Sequence, residues 1–92
     1  MGEDRIRRRV IVHGRVQGVF FRDSMRQRAG AHGVDGWARN RPDGTVEAAF
    51  EGTPDAVDTL VRFCEAGPRG ASVSRVEVAD EPPEGLEGFA IS

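Results

Sequence analysis

The segment that decides the fold is residues 41–57, RPDGTVEAAFEGTPDAV. It opens with Arg-Pro-Asp-Gly, a turn composition, because proline presets the second position of a turn and glycine tolerates positive φ. Residues 45–51 follow as a half-buried antiparallel strand whose apolar face carries Val46, Ala48 and Phe50. Thr53 then suits the N-cap of a helix, and Pro54 suits its first position. The segment therefore predicts a hairpin strand that leads directly into a helix.

The same reading extends in both directions along the chain. It predicts strands over Ile6–His13, Val34–Asn40 and Val73–Val78 (with Val76 and Val78 facing inward), a short final strand at Phe89 and Ile91, and helices over Phe21–Ala31 and from Thr53 to Gly67. The order is β-α-β-β-α-β plus one small strand. This order indicates an α+β, ferredoxin-like sandwich, with one antiparallel sheet and both helices on one face. We expect a single domain over residues 1–92.

Composition excludes several classes of protein. The chain has 92 residues and a formal net charge of −2, and 38% of its residues are hydrophobic, which is a globular composition. No apolar run approaches the ~20 residues of a membrane span, and the charged N-terminus does not resemble a signal peptide. One cysteine, Cys64, and two histidines make neither a disulfide framework nor a metal site. We expect a stand-alone cytoplasmic monomer with no membrane partner, no metal and no cofactor.

All 13 basic residues are arginine. A biased genome explains this composition, and so does a need for planar guanidinium groups that bind anions, so only position can show which arginine matters. The negative net charge argues against a nucleic-acid partner. The cluster Arg5, Arg7, Arg8 and Arg9 is expected on the solvent face of the first strand or at a frayed terminus.

The strongest candidate for chemistry is the segment Gly14–Arg22, GRVQGVFFR, between the first strand and the first helix. Gly14 and Gly18 permit backbone angles that turn successive N–H groups inward, and a helix N-terminus attracts anions. Arg22 is unfavourable in a first helical turn unless an anion neutralises it. Read as structure only, the segment is a turn and Arg22 is a solvated side chain.

Topology connects Asn40 to this loop. In the predicted sheet the first two strands run parallel, with the third strand between them, so their C-terminal ends lie at one edge. Gly14–Arg22 follows one of these ends, and Asn40 lies at the other. A loop, a guanidinium and a neutral amide should therefore meet in one shallow site, although asparagine is also a common turn residue.

The blocks GRVQGVFFR and GWARNRPDGTVE, together with their spacing, the Pro-Arg-Gly segment after the second helix and the Phe-Ala-Ile tail, resemble acylphosphatases. The resemblance covers about Arg7 to Ile91. Ala38 stands where that family commonly has valine, which should be neutral. The resemblance implies hydrolysis of the carboxyl–phosphate bond of small acyl phosphates, with no metal and no covalent intermediate.

The resemblance also implies roles for particular residues. Arg22 would bind the phosphoryl group, and Asn40 would position the attacking water. Inorganic phosphate or sulfate would inhibit. The substrate-binding loop would comprise Arg15, Val16, Gln17, Gly18, Val19, Phe20, Phe21 and Arg22, with the backbone N–H groups of residues 17–22 as donors.

Other interpretations stay open at this point. The leading alternative is a ferredoxin-like binding module without catalysis, which would bind single-stranded nucleic acid or act as a regulatory domain. His13 is expected to be structural rather than a base, and Cys64 to be a buried thiol. Phe20 and Trp37 could form a rim for the acyl group, or Trp37 could simply pack.

Overall fold

The computed structural model describes residues 4–92. Its elements, in chain order, are β1 (Ile6–Arg15), α1 (Phe21–His32), β2 (Asp35–Asn40), β3 (Val46–Gly52), α2 (Pro54–Ala66), β4 (Ser72–Glu81) and β5 (Phe89–Ile91). The five strands form one sheet in the order β4-β1-β3-β2-β5. The predicted ferredoxin-like architecture is confirmed.

The pairings β4–β1, β1–β3 and β3–β2 are all antiparallel, as predicted. β3 lies between β1 and β2 and pairs antiparallel with both, so β1 and β2 run parallel to each other. The fifth strand differs from the prediction, because β5 pairs parallel with β2 and makes the sheet mixed. The parallel arrangement of β1 and β2 brings their C-terminal ends, Arg15 and Asn40, to one edge of the sheet.

Both helices pack on one face of this sheet, where the hydrophobic core lies. α1 contributes the stripe Phe21, Met25 and Ala29, and α2 contributes Val57, Leu60, Val61 and Cys64. The sheet contributes buried side chains from its three central strands, namely Val10, Val12, Ala38, Val46, Ala48 and Phe50. Thr53 caps α2 as predicted, since its hydroxyl accepts a hydrogen bond from Ala56 N at 3.3 Å.

The prediction that β3 is half-buried is wrong. All seven of its residues are buried, because a layer of ion pairs covers the face opposite the helices. We call this layer, formed by Arg7, Arg9, Arg39, Glu47, Glu51 and Glu81, the open-face network. Glu47 accepts hydrogen bonds there from Arg9 Nη1 at 2.7 Å and from Arg39 Nε at 2.8 Å. Long guanidinium side chains on both neighbouring strands thus shield the carboxylates of β3 from solvent.

Glu51 is the most enclosed charge in this network. Its side chain is 0% exposed, and Arg7 Nη1 donates to it at 2.9 Å. The backbone N–H groups of residues 84–86 donate to its two oxygens at 2.9–3.1 Å. Burial by itself raises the pKa of Glu51, but these hydrogen bonds outweigh burial and the pKa lies below its ordinary value. Arg7, expected on the solvent face, is itself only 5% exposed.

The two strands that flank this network extend beyond their predicted ends. β1 continues past His13 through a bulge at Gly14, where φ is +122° and the backbone of Ser72 lies too close to admit a Cβ. β4 continues to Glu81 because it pairs with β1 from Arg7 to Arg15. Val76 packs against the core as predicted. Val78 does not, and its side chain is 48% exposed on the edge strand β4.

Cys64 is buried as predicted, and burial raises the pKa of its thiol to about 12. Within residues 4–92, no helix is long and apolar enough to cross a membrane. The same residues hold no group of three or more His, Cys, Asp or Glu side chains arranged to bind a metal ion.

Candidate active site

The loop between β1 and α1 has a strained backbone. Phe20 adopts the left-handed conformation, with φ 62° and ψ 29°, and is the one non-glycine residue at positive φ among those described. Such a conformation costs roughly 1–2 kcal/mol for a residue with a side chain. Burial does not compensate for this strain, because the Phe20 side chain is 76% exposed. Strain that persists without a packing reason is typical of functional loops.

The loop also leaves its backbone donors without acceptors. Phe20 is the N-cap of α1 and makes no side-chain capping bond. Within the described chain, the backbone N–H groups of Gln17, Gly18, Val19 and Phe20 donate to no protein acceptor. The first N–H groups of any helix also lack intrahelical partners, and the helix dipole makes this end positive. The loop and the start of α1 together therefore form a favourable environment for an anion.

Arg22 lies in the first turn of α1, beside these donors. Its Nη1 donates to the main-chain oxygen of Ser92 at 2.5 Å. Among residues 4–92, this is the one hydrogen bond that the Arg22 side chain makes to protein. In that same range no Asp or Glu side chain lies within ion-pair distance of Arg22, whereas Arg7 and Arg9 each pair with two or more such side chains. The guanidinium thus keeps most of its donors available for a ligand.

Asn40 ends β2, directly before the turn to β3. Arg41 N donates to Thr45 O at 2.9 Å and closes the turn. The Asp43 carboxylate accepts from both the backbone N–H and the hydroxyl of Thr45, and these bonds hold the pKa of Asp43 below its ordinary value. The turn is therefore held without help from the Asn40 side chain, which is exposed.

One cavity brings these features together. It encloses about 280 Å³ and is lined by Val16, Gly18, Phe20, Phe21, Arg22, Asp23 and Asn40. Arg15, Gln17 and Val19 belong to the same loop but do not line the cavity. Arg15 pairs with Ser72 at the end of β1, and Val19 packs against the core. The residues predicted from the sequence as catalytic, Arg22 and Asn40, thus share the cavity with five neighbours.

Two other predicted candidates lie elsewhere. His13 contacts Glu77 at 2.5 Å on the exposed side of β1, and this contact lowers the pKa of Glu77. Trp37 lies on the opposite face of the sheet, beside Arg39 and Ala90, and does not line the cavity. Phe20, by contrast, does line it.

Three features of the site escaped the sequence analysis. Asp23 lines the cavity, and its position directly after Arg22 was the available signal. The Gln17 side chain donates to two carbonyls of the β2–β3 turn, and the contact of Ser92 with Arg22 joins residues 70 positions apart. No local sequence pattern indicates the contacts that Gln17 and Ser92 make.

The chain is similar to known proteins in both sequence and fold. The sequence model of the acylphosphatase family matches residues 8–91. An acylphosphatase of Rubrobacter xylanophilus is 61% identical over 84 residues, covering 90% of this chain and 76% of that protein. One of Thermococcus kodakarensis is 54% identical, covering 95% and 96% of the two chains. The structure of an acylphosphatase from Coxiella burnetii superposes with a TM-score of 0.92 at 34% identity, over 97% of this chain and 94% of the other. The chain is therefore a hydrolase that belongs to the acylphosphatase family.

Proposed function

We propose that this protein hydrolyses the carboxyl–phosphate bond of small acyl phosphates to a carboxylate and inorganic phosphate without a metal ion. The observation that carries the proposal is that the strained loop, Arg22 and Asn40 all line one cavity. These three parts supply what the reaction needs: a phosphate site, a positive charge and a group that orients water.

The phosphoryl group binds to the loop of residues 15–22. Its oxygens accept hydrogen bonds from the backbone N–H groups of residues 17–22, which include the four that have no protein acceptor. The left-handed Phe20 supports this role, because it lets the loop enter α1 without a side-chain cap that would occupy the same donors. Preorganised donors of this kind stabilise charge at no cost of reorganisation during the reaction.

Arg22 provides the positive charge. A guanidinium can donate two parallel hydrogen bonds to two phosphate oxygens, which fixes the orientation of the phosphoryl group as well as its charge. The hydrogen bond to Ser92 holds Arg22 from one side and leaves its remaining N–H groups for the substrate.

Asn40 orients the attacking water through its side-chain amide, which both donates and accepts hydrogen bonds. The water oxygen forms a bond to phosphorus while the bond from phosphorus to the acyl oxygen breaks, and the carboxylate leaves with the electron pair. A carboxylate is a weakly basic leaving group, so it needs no general acid. The proton of the water passes to a phosphoryl oxygen of the substrate, so positioning and electrostatic stabilisation suffice.

The test is hydrolysis of acetyl phosphate by the purified protein in excess chelator. We expect full activity there and slow or no hydrolysis of an ordinary phosphate monoester, whose alkoxide leaving group requires an acid. Activity that disappears on chelation and returns with a divalent ion would overturn the metal-free mechanism.

Binding of product-like anions tests the phosphate loop separately. Inorganic phosphate or sulfate should inhibit competitively and should raise the melting temperature. At 100 times the dissociation constant, mass action adds about 2.7 kcal/mol to the free energy of unfolding. A concentration series that changes neither activity nor melting would remove the loop from the proposal.

A further inference from the structure

The Gln17 side chain joins the phosphate loop to the turn that follows Asn40. Its Nε2 donates to Arg41 O at 2.8 Å and to Thr45 O at 3.0 Å. A carboxamide nitrogen carries two hydrogens, so both donors are used. Arg41 and Thr45 follow Gln17 by 24 and 28 positions in sequence. Within residues 4–92, these two bonds are the side-chain hydrogen bonds that join the loop to the turn.

These bonds are not needed to close the turn. Arg41 O already accepts from Gly44 N at 3.1 Å, and Thr45 O already accepts from Arg41 N at 2.9 Å. The Thr45 side chain is held independently by Asp43. The Gln17 carboxamide therefore adds a connection between two segments that each have their own internal hydrogen bonds.

We propose that the Gln17 side chain is a positioning residue for hydrolysis, which fixes Asn40 relative to the phosphate loop. The inference rests on the proposed function. Asn40 is covalently joined to Arg41, whose carbonyl oxygen accepts from Gln17. The two hydrogen bonds of Gln17, which we call the Gln17 brace, therefore restrain the backbone one residue away from Asn40. The other end of the brace is the loop itself. A displacement of about 1 Å at such a site can cost 10²-fold in rate, so a short brace between the two partners has a large effect.

The test is a double-mutant cycle of Gln17→Met and Asn40→Ala, measured with acetyl phosphate. Methionine matches the length of glutamine but cannot donate. Gln27→Met is the matched control, because Gln27 is exposed on α1 and lines no part of the cavity. Each variant is assayed for kcat, KM, the inhibition constant of inorganic phosphate and melting temperature.

We expect Gln17→Met to lower kcat about 10-fold, because water is no longer held against the phosphoryl group. KM and the inhibition constant of phosphate should change by less than about 2-fold, because the backbone donors and Arg22 remain. In the Asn40→Ala background, the same substitution should lower kcat by less than about 2-fold, because the group it positions is gone. Gln27→Met should leave all four quantities unchanged.

Two results would overturn the inference while leaving the proposed function intact. One is a full 10-fold loss in both backgrounds, which would show that Gln17 acts independently of Asn40. The other is loss of phosphate affinity in parallel with kcat, which would place its role in the loop. An inactive wild-type protein would instead overturn the proposed function and this inference with it.

A second variant keeps the test decisive if Gln17→Met does not fold. Gln17→Asn retains the amide but is one methylene shorter, so it reaches at most one of the two carbonyls. We expect it to lower kcat about 3-fold, with the same dependence on Asn40. An unchanged kcat in this variant would count against the brace.

Discussion

Arginine has opposite surroundings in two regions of the molecule. One is the sheet edge where residues 14–22 and Asn40 meet, which we call the phosphate edge after its proposed ligand, and the other is the open face of the sheet. On the open face, Arg7 is 5% exposed and pairs with Glu51 at 2.9 Å and with Glu81 at 3.0 Å. At the phosphate edge, Arg22 donates to the main-chain oxygen of Ser92 and, within residues 4–92, has no Asp or Glu side chain at ion-pair distance. The charges of the open-face network pair with one another, whereas the loop and Arg22 keep donors that no other group of residues 4–92 accepts from.

This difference distinguishes structural from functional arginines in a chain whose basic residues are all arginine. All 13 basic residues are the same type, so residue identity cannot separate structural from functional guanidinium groups. The availability of partners does separate them. An arginine enclosed by carboxylates stabilises the fold, and one placed beside vacant amide donors marks a site for an anion.

The largest effect is expected at Arg22. Arg22→Lys keeps the charge but replaces the planar fork with a single ammonium, so kcat/KM for acetyl phosphate should fall about 10³-fold. The inhibition constant of phosphate should rise as well, because the same contacts exist before and during the reaction. Steady-state kinetics and phosphate inhibition measure both.

Arg26→Lys is the matched control for that change. Arg26 lies one turn further along α1, is 58% exposed and pairs with Asp23 at 3.5 Å. We expect its kcat/KM within about 2-fold of wild type, since surface pairs of this kind contribute little. Equal losses in the two variants would show that the effect is not specific to the Arg22 guanidinium, and an unchanged kcat/KM in Arg22→Lys would show that positive charge alone is enough.

The next effect is on the open face and concerns stability. Glu51→Gln should lower the free energy of unfolding by about 3 kcal/mol, because either orientation of the amide places an NH₂ group against the donors that surround this site. Chemical denaturation measures the loss, and kcat should not change. Glu84→Gln is the control, since Glu84 is 64% exposed and 3.7 Å from Arg7, and it should change stability by less than about 0.5 kcal/mol.

The same variant predicts a pH dependence. The folded-state pKa of Glu51 is below its ordinary value, so the carboxylate stabilises the fold at pH above the unfolded-state pKa, and this contribution is lost as the pH falls through the folded value. Glu51→Gln should therefore show a flatter loss of stability between neutral and acidic pH than wild type. Parallel curves would mean that other carboxylates cause the acid sensitivity.

The next effect is expected from Asn40→Ala, at the phosphate edge. Loss of the water-orienting amide should lower kcat about 10²-fold, with the phosphate inhibition constant within about 2-fold of wild type. The melting temperature should fall little, because Arg41, Asp43 and Thr45 hold the turn among themselves. A lower melting temperature with normal kcat would make Asn40 a turn residue instead.

The sequence is sufficient to predict the phosphate edge because its determinants are local. Arg22, Asn40 and the glycines of this edge lie within two short blocks of sequence, residues 14–22 and 40–45. The parallel relation of β1 and β2 follows from the order of the elements alone. That relation brings both catalytic candidates to one cavity, as the structure shows.

The open face could not be predicted in the same way, because its contacts depend on strand register and on a distant loop. Alternation along residues 45–51 indicates solvent exposure for Glu47 and Glu51. Burial depends on arginines of β1 and β2 reaching across the sheet, and on the amides of residues 84–86. For the same reason, the Gln17 brace and the exposure of Val78 have no local signal.

The smallest expected effect comes from the strained backbone at Phe20. The test depends on which of two variants, Phe20→Gly or Phe20→Ala, is more stable. At an ordinary position, alanine is more stabilising than glycine by roughly 0.5–1 kcal/mol, because glycine loses more backbone entropy on folding. At φ 62° the preference reverses, because a Cβ in the left-handed region is strained. Phe20→Gly should therefore be more stable than Phe20→Ala, by about 0.5–1 kcal/mol in chemical denaturation. Comparing the two variants cancels the loss of the ring, which is 76% exposed and common to both. Greater stability of the alanine variant would show that position 20 is not left-handed in solution, and the geometric argument for vacant donors at the start of α1 would then be lost.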